Sequence, residues 1–251
     1  KIKPGHSNQN IYSIIKKCSL SESDEFELMK YTEKKGLFFL SSPFSKAAVD
    51  RLVKFKVKAF KIGSGEFNNL PFISYVASFN KPMILSTGMN DINQIKKTIK
   101  VLKKHNANFA LMHTTNLYPT PHRLVRLKAM QEMMNTFPNY FIGLSDHTTD
   151  NFSSIFAIAM GAKIIEKHFT DSKNRKGPDI SCSMDPQDFK EINKAALLFM
   201  KMNKGKKTPA KEEKVTSNFA FGSVVTIKSI KKGDILSKKN IWIKRPGTGY
   251  F

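Results

Sequence analysis

The sequence predicts an α/β fold of the TIM type, a (β/α)8 barrel, on three observations. Short apolar runs without polar alternation recur along the 251 residues, they recur at near-constant spacing, and each turns abruptly polar at its end. Runs of this kind are what a strand buried on both faces of a parallel sheet requires. The strand's carboxyl end is where a barrel carries its chemistry.

In chain order the runs are "GLFFLSSPF" (Gly36–Phe44), "AFKIGSGE" (Ala59–Glu66), "PMILSTGM" (Pro82–Met89), "NFALMHTTN" (Asn108–Asn116), "FIGLSDHT" (Phe141–Thr148) and "KIIEKHFT" (Lys163–Thr170). Counted from Leu37, Ala59, Pro82, Asn108, Tyr140 and Ala162, the spacings are 22, 23, 26, 32 and 22 residues. Each interval holds a strand, a loop and one helix. Ser21, with Asp24 three residues on, opens a helix that Gly36 stops. Asn90 or Asp91 caps another, with Ile92, Ile95, Ile99 and Leu102 on one face. Asp185 and Pro186 start a third, with Phe189, Ile192, Ala196 and Phe199 as its buried stripe. A doubly wound sheet is the alternative, but it usually carries a glycine-rich phosphate loop after its first strand, and none is present. Eight strands close a barrel and the chain opens in a helix-or-loop region, so the first two units are expected to lie outside it.

Composition bounds the function. Apolar residues make up 40% of the chain, enough for a core. No apolar run approaches the ~18–20 residues of a membrane span. No signal-peptide pattern follows Lys1, and Cys18 and Cys182 form no disulfide framework, so a reducing, cytoplasmic setting is expected. The net charge of +22 suggests nucleic acid. However, the lysines are spread through every segment, and arginine is confined to Arg51, Arg123, Arg126, Arg175 and Arg245. That pattern fits a solvated surface whose field attracts small anions, and no nucleic-acid or membrane partner is expected.

The strand ends carry Ser41–Ser42, Lys61–Ser64–Glu66, Ser86–Thr87, His113–Asn116, Ser145–Asp146–His147 and Glu166–His168. His147 and His168, 21 residues apart, fall on neighbouring strands, each beside a carboxylate (Asp146, Glu166) able to orient its ring. A single histidine at a strand end is more often part of the scaffold. Two, without cysteine, suit a metal site with open positions. Lys61 ends a strand with little surface to snorkel to, which favours an anion ligand. Ser64, Ser86, Ser145 and Asn116 add donors for phosphate or carboxylate. His6, His105 and His122 lack such context and read as structural, and Cys182 reads as a packed small residue.

"KIGSGE", "ILSTGM", "TNLYPTP", "GLSDHT", "EKHFT" and "GPD", in this order, resemble the N-acetylneuraminate (sialic acid) synthase family over almost the whole chain. The tail "SVVTIKSIKKGDILSKKNIWIKRPGTG" (Ser223–Gly249) resembles that family's C-terminal antifreeze-like (SAF) domain. The resemblance implies condensation of phosphoenolpyruvate with N-acetylmannosamine or its 6-phosphate, giving a nine-carbon 2-keto acid and phosphate. It implies that His147 and His168 hold a divalent ion, usually Mn2+. Lys61, Ser64, Ser86, Asn116 and Ser145 would hold phosphoenolpyruvate, with Glu66 and Lys61 in the catalytic roles. Glu66, Tyr118 and Asp179 would line the sugar pocket. Arg245 would reach the N-acetyl group in the barrel of a partner subunit, since family members form swapped homodimers. The implied domains are a barrel over 1–204, a linker over 205–214 ("GKKTPAKEEK") and the antifreeze-like domain over 215–251, with Gly233, Pro246, Gly247 and Gly249 as turn punctuation. Two alternatives stand beside it: the same condensation on a legionaminic or pseudaminic acid precursor, and a non-catalytic binding protein using the tail.

Overall fold

Two capped helices open the described residues, 10–247, of the computed structural model. Asn10 caps α1 (Ile11–Cys18) by accepting from the Ser13 amide at 2.9 Å. Ser21 and Asp24 cap α2 (Glu22–Lys34) reciprocally, as their spacing predicts, and Gly36 follows at φ +74°, a conformation that favours glycine.

The first expected strand does not form. Between Gly36 and Phe44 the chain is extended but unladdered, and Leu37 and Phe38 are 64% and 69% exposed. An apolar run becomes a strand only where a neighbour supplies hydrogen bonds. This one meets the next strand through a single bond, Lys61 N–H to the Ser41 carbonyl at 3.3 Å. Helix α3 (Lys46–Lys54), capped by Ser45, follows.

From there the repeat runs as the spacing predicts: β1 (Phe60–Ile62), α4 (Leu70–Ala77), β2 (Met83–Ser86), α5 (Ile92–Lys104), β3 (Phe109–Thr114), α6 (Leu127–Thr136), β4 (Phe141–Asp146), α7 (Phe152–Ala159), β5 (Ile165–Lys167) and α8 (Pro186–Met202). All four pairings are parallel and the spatial order is β1-β2-β3-β4-β5. Order in space follows order in sequence without reversal. That is the progression of a barrel wall, not of a doubly wound sheet. The described residues thus make a parallel half-barrel.

Strand alternation divides the side chains. Phe60, Ile62, Met83, Leu85, Phe109, Leu111, Ile142 and Leu144 pack outward against helix residues such as Leu52, Ile73, Ile99 and Met130 in one buried core. The residues between them, including Lys61, Ser86, Thr114, Ser145 and Glu166, occupy the inner face. The expected stripe of α8 is only partly buried: Ile192 is buried and Ala196 and Phe199 are half-buried, but Phe189 is 53% exposed.

His113 is a titratable group within the core. It lies on the outward register of β3, 5% exposed, and its Nε2–H donates to the Val125 carbonyl at 2.7 Å. Burial pushes its pKa below the ordinary histidine value, against the pull of that bond, and the Arg126 charge lowers it further. The folded protein therefore holds fewer protons here than the unfolded chain, so this contribution is present above about pH 6.5 and is lost as pH falls through the folded pKa. Urea unfolding at a series of pH values between about 7 and 5 should show wild-type stability falling more steeply than that of His113→Gln. Parallel slopes would mean that His113 stays unshifted.

The second compact unit, Asn203–Phe251, is a separate body in which β6 (Ser223–Thr226) pairs antiparallel with β7 (Ile241–Lys244). The expected linker is loop only in its first part. Lys211–Glu213 form a 3-10 turn running into α9 (Lys214–Ala220), because the Glu213 carboxylate accepts from the Ala210 amide at 2.7 Å. His6 and Gly249 lie outside the described residues.

Candidate active site

Parallel register brings the inner-face residues together at the carboxyl ends of β1 to β5. Lys61, projecting inward from β1 with its side chain 13% exposed, donates to Ser86 Oγ at 2.8 Å and lies 3.2 Å from Glu166 Oε2. The ammonium also donates to the Ile62 carbonyl in a long bond of 3.4 Å, so a hydroxyl, a carbonyl and a partly exposed carboxylate hold a positive charge at the inner face. Ser64 opens the turn after β1, and its Oγ accepts from the Gly88 amide at 3.1 Å.

Gly88 is needed for closeness. A Cβ at that position would lie 1.7 Å from Asn116 Oδ1 and 2.8 Å from both Ser64 Oγ and Thr114 Cγ2. Only a residue without a side chain lets three strand ends converge this tightly. Thr114 Oγ1 and Asn116 Oδ1 are buried there without hydrogen-bond partners. Unmatched buried polar atoms of this kind mark where a ligand's groups fit. Ser145, 6% exposed, stands beside Thr114 in register, with Glu166 on its other side.

The two histidines meet as their spacing predicts. Their ring centroids are 5.3 Å apart in an edge-on arrangement, and Tyr118 packs against both, at 4.3 Å from His147 and 5.7 Å from His168. Burial lowers the pKa of His147, against its bond to Thr115, and the neighbouring His168 lowers it further, so the neutral ring is favoured. Burial and the Asp179 charge push the Tyr118 phenol up, so it stays a protonated donor.

The predicted orienting carboxylates are corrected. Asp146 faces the outer side, because alternation sends it opposite to Ser145 and His147. It accepts from Lys167 Nζ at 3.0 Å and Ser154 Oγ at 2.8 Å. Glu166 pairs with Lys61. His147 is instead oriented by a backbone group, its Nδ1–H donating to the Thr115 carbonyl at 3.0 Å, and His168 Nδ1 lies 4.0 Å from Asp179 Oδ2. His113 and Thr87, expected on the rim, also turn outward, Thr87 Oγ1 to the Met112 carbonyl at 2.9 Å. Glu66 stays within its own turn, accepting from Asn69 Nδ2 at 2.8 Å. Arg245 belongs to the second unit, directly after β7. Cys182 is fully buried, and burial pushes its thiol up, away from nucleophile behaviour. His105 and His122 bond to Ser74 and Asp150, each at 2.7 Å.

Sequence reasoning missed Gly88, Thr114, Thr115 and Lys167. Gly88 and Thr114 stand inside quoted runs, but Gly88 has no side chain to read and Thr114 is told from its outward-facing neighbours only by register. Thr115 acts through its carbonyl, which no side-chain motif records.

The donor set suits a divalent ion with open positions. With Nδ1–H committed to Thr115, His147 Nε2 presents a lone pair beside a second imidazole. Among the described residues no group of three or more His, Cys, Asp and Glu side chains gathers to hold an ion.

Comparison with known proteins points one way. The NeuB family profile matches residues 1–207. The chain is 39% identical over 253 residues to the N,N'-diacetyllegionaminic acid synthase of Campylobacter jejuni, covering 99% of this chain and 75% of that one. It is 32% identical over 244 residues to the human N-acetylneuraminate-9-phosphate synthase, covering 95% and 67%. The crystal structure of an N-acetylneuraminic acid synthetase from Leptospira borgpetersenii, in complex with citrate, superposes with a TM-score of 0.78 at 25% identity, covering 84% of this chain and 74% of that one.

Proposed function

The chain belongs to the NeuB family, and we propose that it condenses phosphoenolpyruvate with an N-acetylated hexosamine aldehyde to give a nine-carbon 2-keto sugar acid and phosphate. The observation that carries the reading is the inner-face cluster, in which Ser64, Thr114 and Asn116 close around Gly88, Lys61 bonds Ser86, and Ser145 stands in register between Thr114 and Glu166. The pieces balance. A carbon–carbon bond forms between C3 of phosphoenolpyruvate and the aldehyde carbon, water adds at C2, and phosphate leaves as the C2–O bond breaks.

In this reading the Lys61 ammonium and the three hydroxyls bind the anionic enol ester. The unpartnered Thr114 hydroxyl can add a donor to the cradle, and Asn116 would contribute through its amide NH2. His147 and His168 would hold a divalent ion, Mn2+ in the first instance, which when bound supplies Lewis-acid polarisation of a carbonyl. Tyr118 and Asp179 line the sugar side of the histidines, and Glu66 orients the sugar or handles a proton. Eight-strand closure, the antifreeze-like assignment of the second unit, a swapped homodimer and the reach of Arg245 into a partner's barrel belong to the same reading. They rest on the motif resemblance. Among the described residues no helix is long and apolar enough to cross a membrane.

Two sugars compete. The motifs suggest N-acetylmannosamine or its 6-phosphate. The relatives include enzymes named for N,N'-diacetyllegionaminic acid and for N-acetylneuraminate 9-phosphate, so a doubly N-acetylated sugar is the second candidate. Phosphate release from phosphoenolpyruvate with Mn2+ and each sugar in turn decides between them. Release is expected only when an N-acetylated aldose is present. Release without sugar, or with none of the panel, would overturn the reading.

A further inference from the structure

The two histidines are each preceded by a residue of one buried ion pair. Asp146 and Lys167 are register partners on β4 and β5, and their side chains are 1% and 2% exposed. Lys167 Nζ donates to Asp146 Oδ2 at 3.0 Å and also to the Thr148 carbonyl at 2.7 Å. Asp146 Oδ1 accepts from the Thr148 amide at 2.8 Å, and Ser154 Oγ, from α7, donates to Asp146 Oδ2. The residues on both sides of His147 are therefore bound to one ammonium, and the next residue after that ammonium's own is His168.

We propose that Lys167 and Asp146 are positioning residues for the histidine pair, a clamp behind the sheet that sets the separation of His147 and His168 on its inner face. The inference rests on the reading of those histidines as metal ligands. Its physical basis is that a fully buried ion pair is weak as a source of stability, because desolvation offsets the Coulomb attraction, whereas it specifies one arrangement of the groups that satisfy it. Both carboxylate oxygens and two of the three ammonium protons are engaged: two donors reach one oxygen, the loop amide reaches the other, and the ammonium spans strand and loop. A one-residue slip of β5 against β4 would break both Lys167 bonds at once and separate the imidazoles.

The test uses the full chain and Mn2+ alone, titrated by calorimetry, without substrate. The double variant Asp146→Asn, Lys167→Met removes both charges and leaves no unpaired ion in the core. It is expected to keep wild-type circular dichroism at low temperature yet bind Mn2+ roughly 10- to 100-fold more weakly, the usual effect of losing support behind metal ligands. Lys167→Arg decides if the double variant does not fold. It keeps the charge but cannot place a single nitrogen on both acceptors, so weaker Mn2+ binding is again expected. Unchanged affinity in the folded variant, with His147→Ala and His168→Ala losing Mn2+, would overturn the clamp and leave the metal reading standing. A wild-type chain that binds no Mn2+ would overturn both.

Discussion

Replacing His147 or His168 by alanine is expected to abolish metal-dependent phosphate release while leaving the fold intact. A Lewis-acidic ion contributes several kcal/mol to the barrier, and each ~1.4 kcal/mol is tenfold in rate, so a loss on the order of 10^3-fold or more is anticipated. The fold should survive because neither ring belongs to the apolar core. His147 lines the inner face with Tyr118, and His168 is half-buried. The two variants should behave alike, since the imidazoles face each other at 5.3 Å between centroids. Steady-state phosphate release and Mn2+ titration on each variant check this. Near-native turnover with near-native Mn2+ affinity in either would refute the ligand assignment.

Lys61→Ala is expected to weaken phosphoenolpyruvate far more than the sugar. Loss of a hydrogen bond to a charged group costs about 1.5–3 kcal/mol, or roughly 10- to 150-fold in affinity. The geometry adds a second consequence. Lys61 also faces Glu166 at 3.2 Å, so its removal leaves a carboxylate turned toward an anion site. Repulsion then acts in the same direction as the lost contact. Lys61→Ala, Glu166→Gln should recover part of the loss, because it removes the repelling charge. Competition binding of phosphoenolpyruvate to the three proteins reads this out. Equal losses for both substrates would mean that Lys61 holds the whole rim in place and does not select the anion.

The α/β class, the strand spacing and the histidine pair were legible in the sequence because they depend on local patterns. An apolar run of four to six residues with no polar alternation specifies a strand buried on both faces, and Ser21, Asp24 and Asp91 cap their helices through bonds that span three residues. The meeting of His147 and His168 also follows from spacing, since equal offsets at the ends of adjacent parallel strands become lateral neighbours. Neighbouring strands then set the limit. The run at Gly36–Phe44 has the composition of a strand but meets one only through Ser41, and without a ladder it stays extended and exposed.

Which face each polar residue takes was decided by tertiary structure. Asp146 and His147 are adjacent in sequence and read as partners, yet the pleat sends them to opposite sides of β4. The carboxylate is claimed by Lys167 and Ser154, while a backbone carbonyl orients the imidazole. His113 and Thr87 lie in the right runs but on the outward register. The sequence by itself determined the class of fold, the order of its units and the residue types at each strand end, because these depend on composition and spacing. Only the tertiary structure decided which of those residues share the inner face, since a period of two assigns faces only after register is set, and register depends on hydrogen bonds between segments more than twenty residues apart.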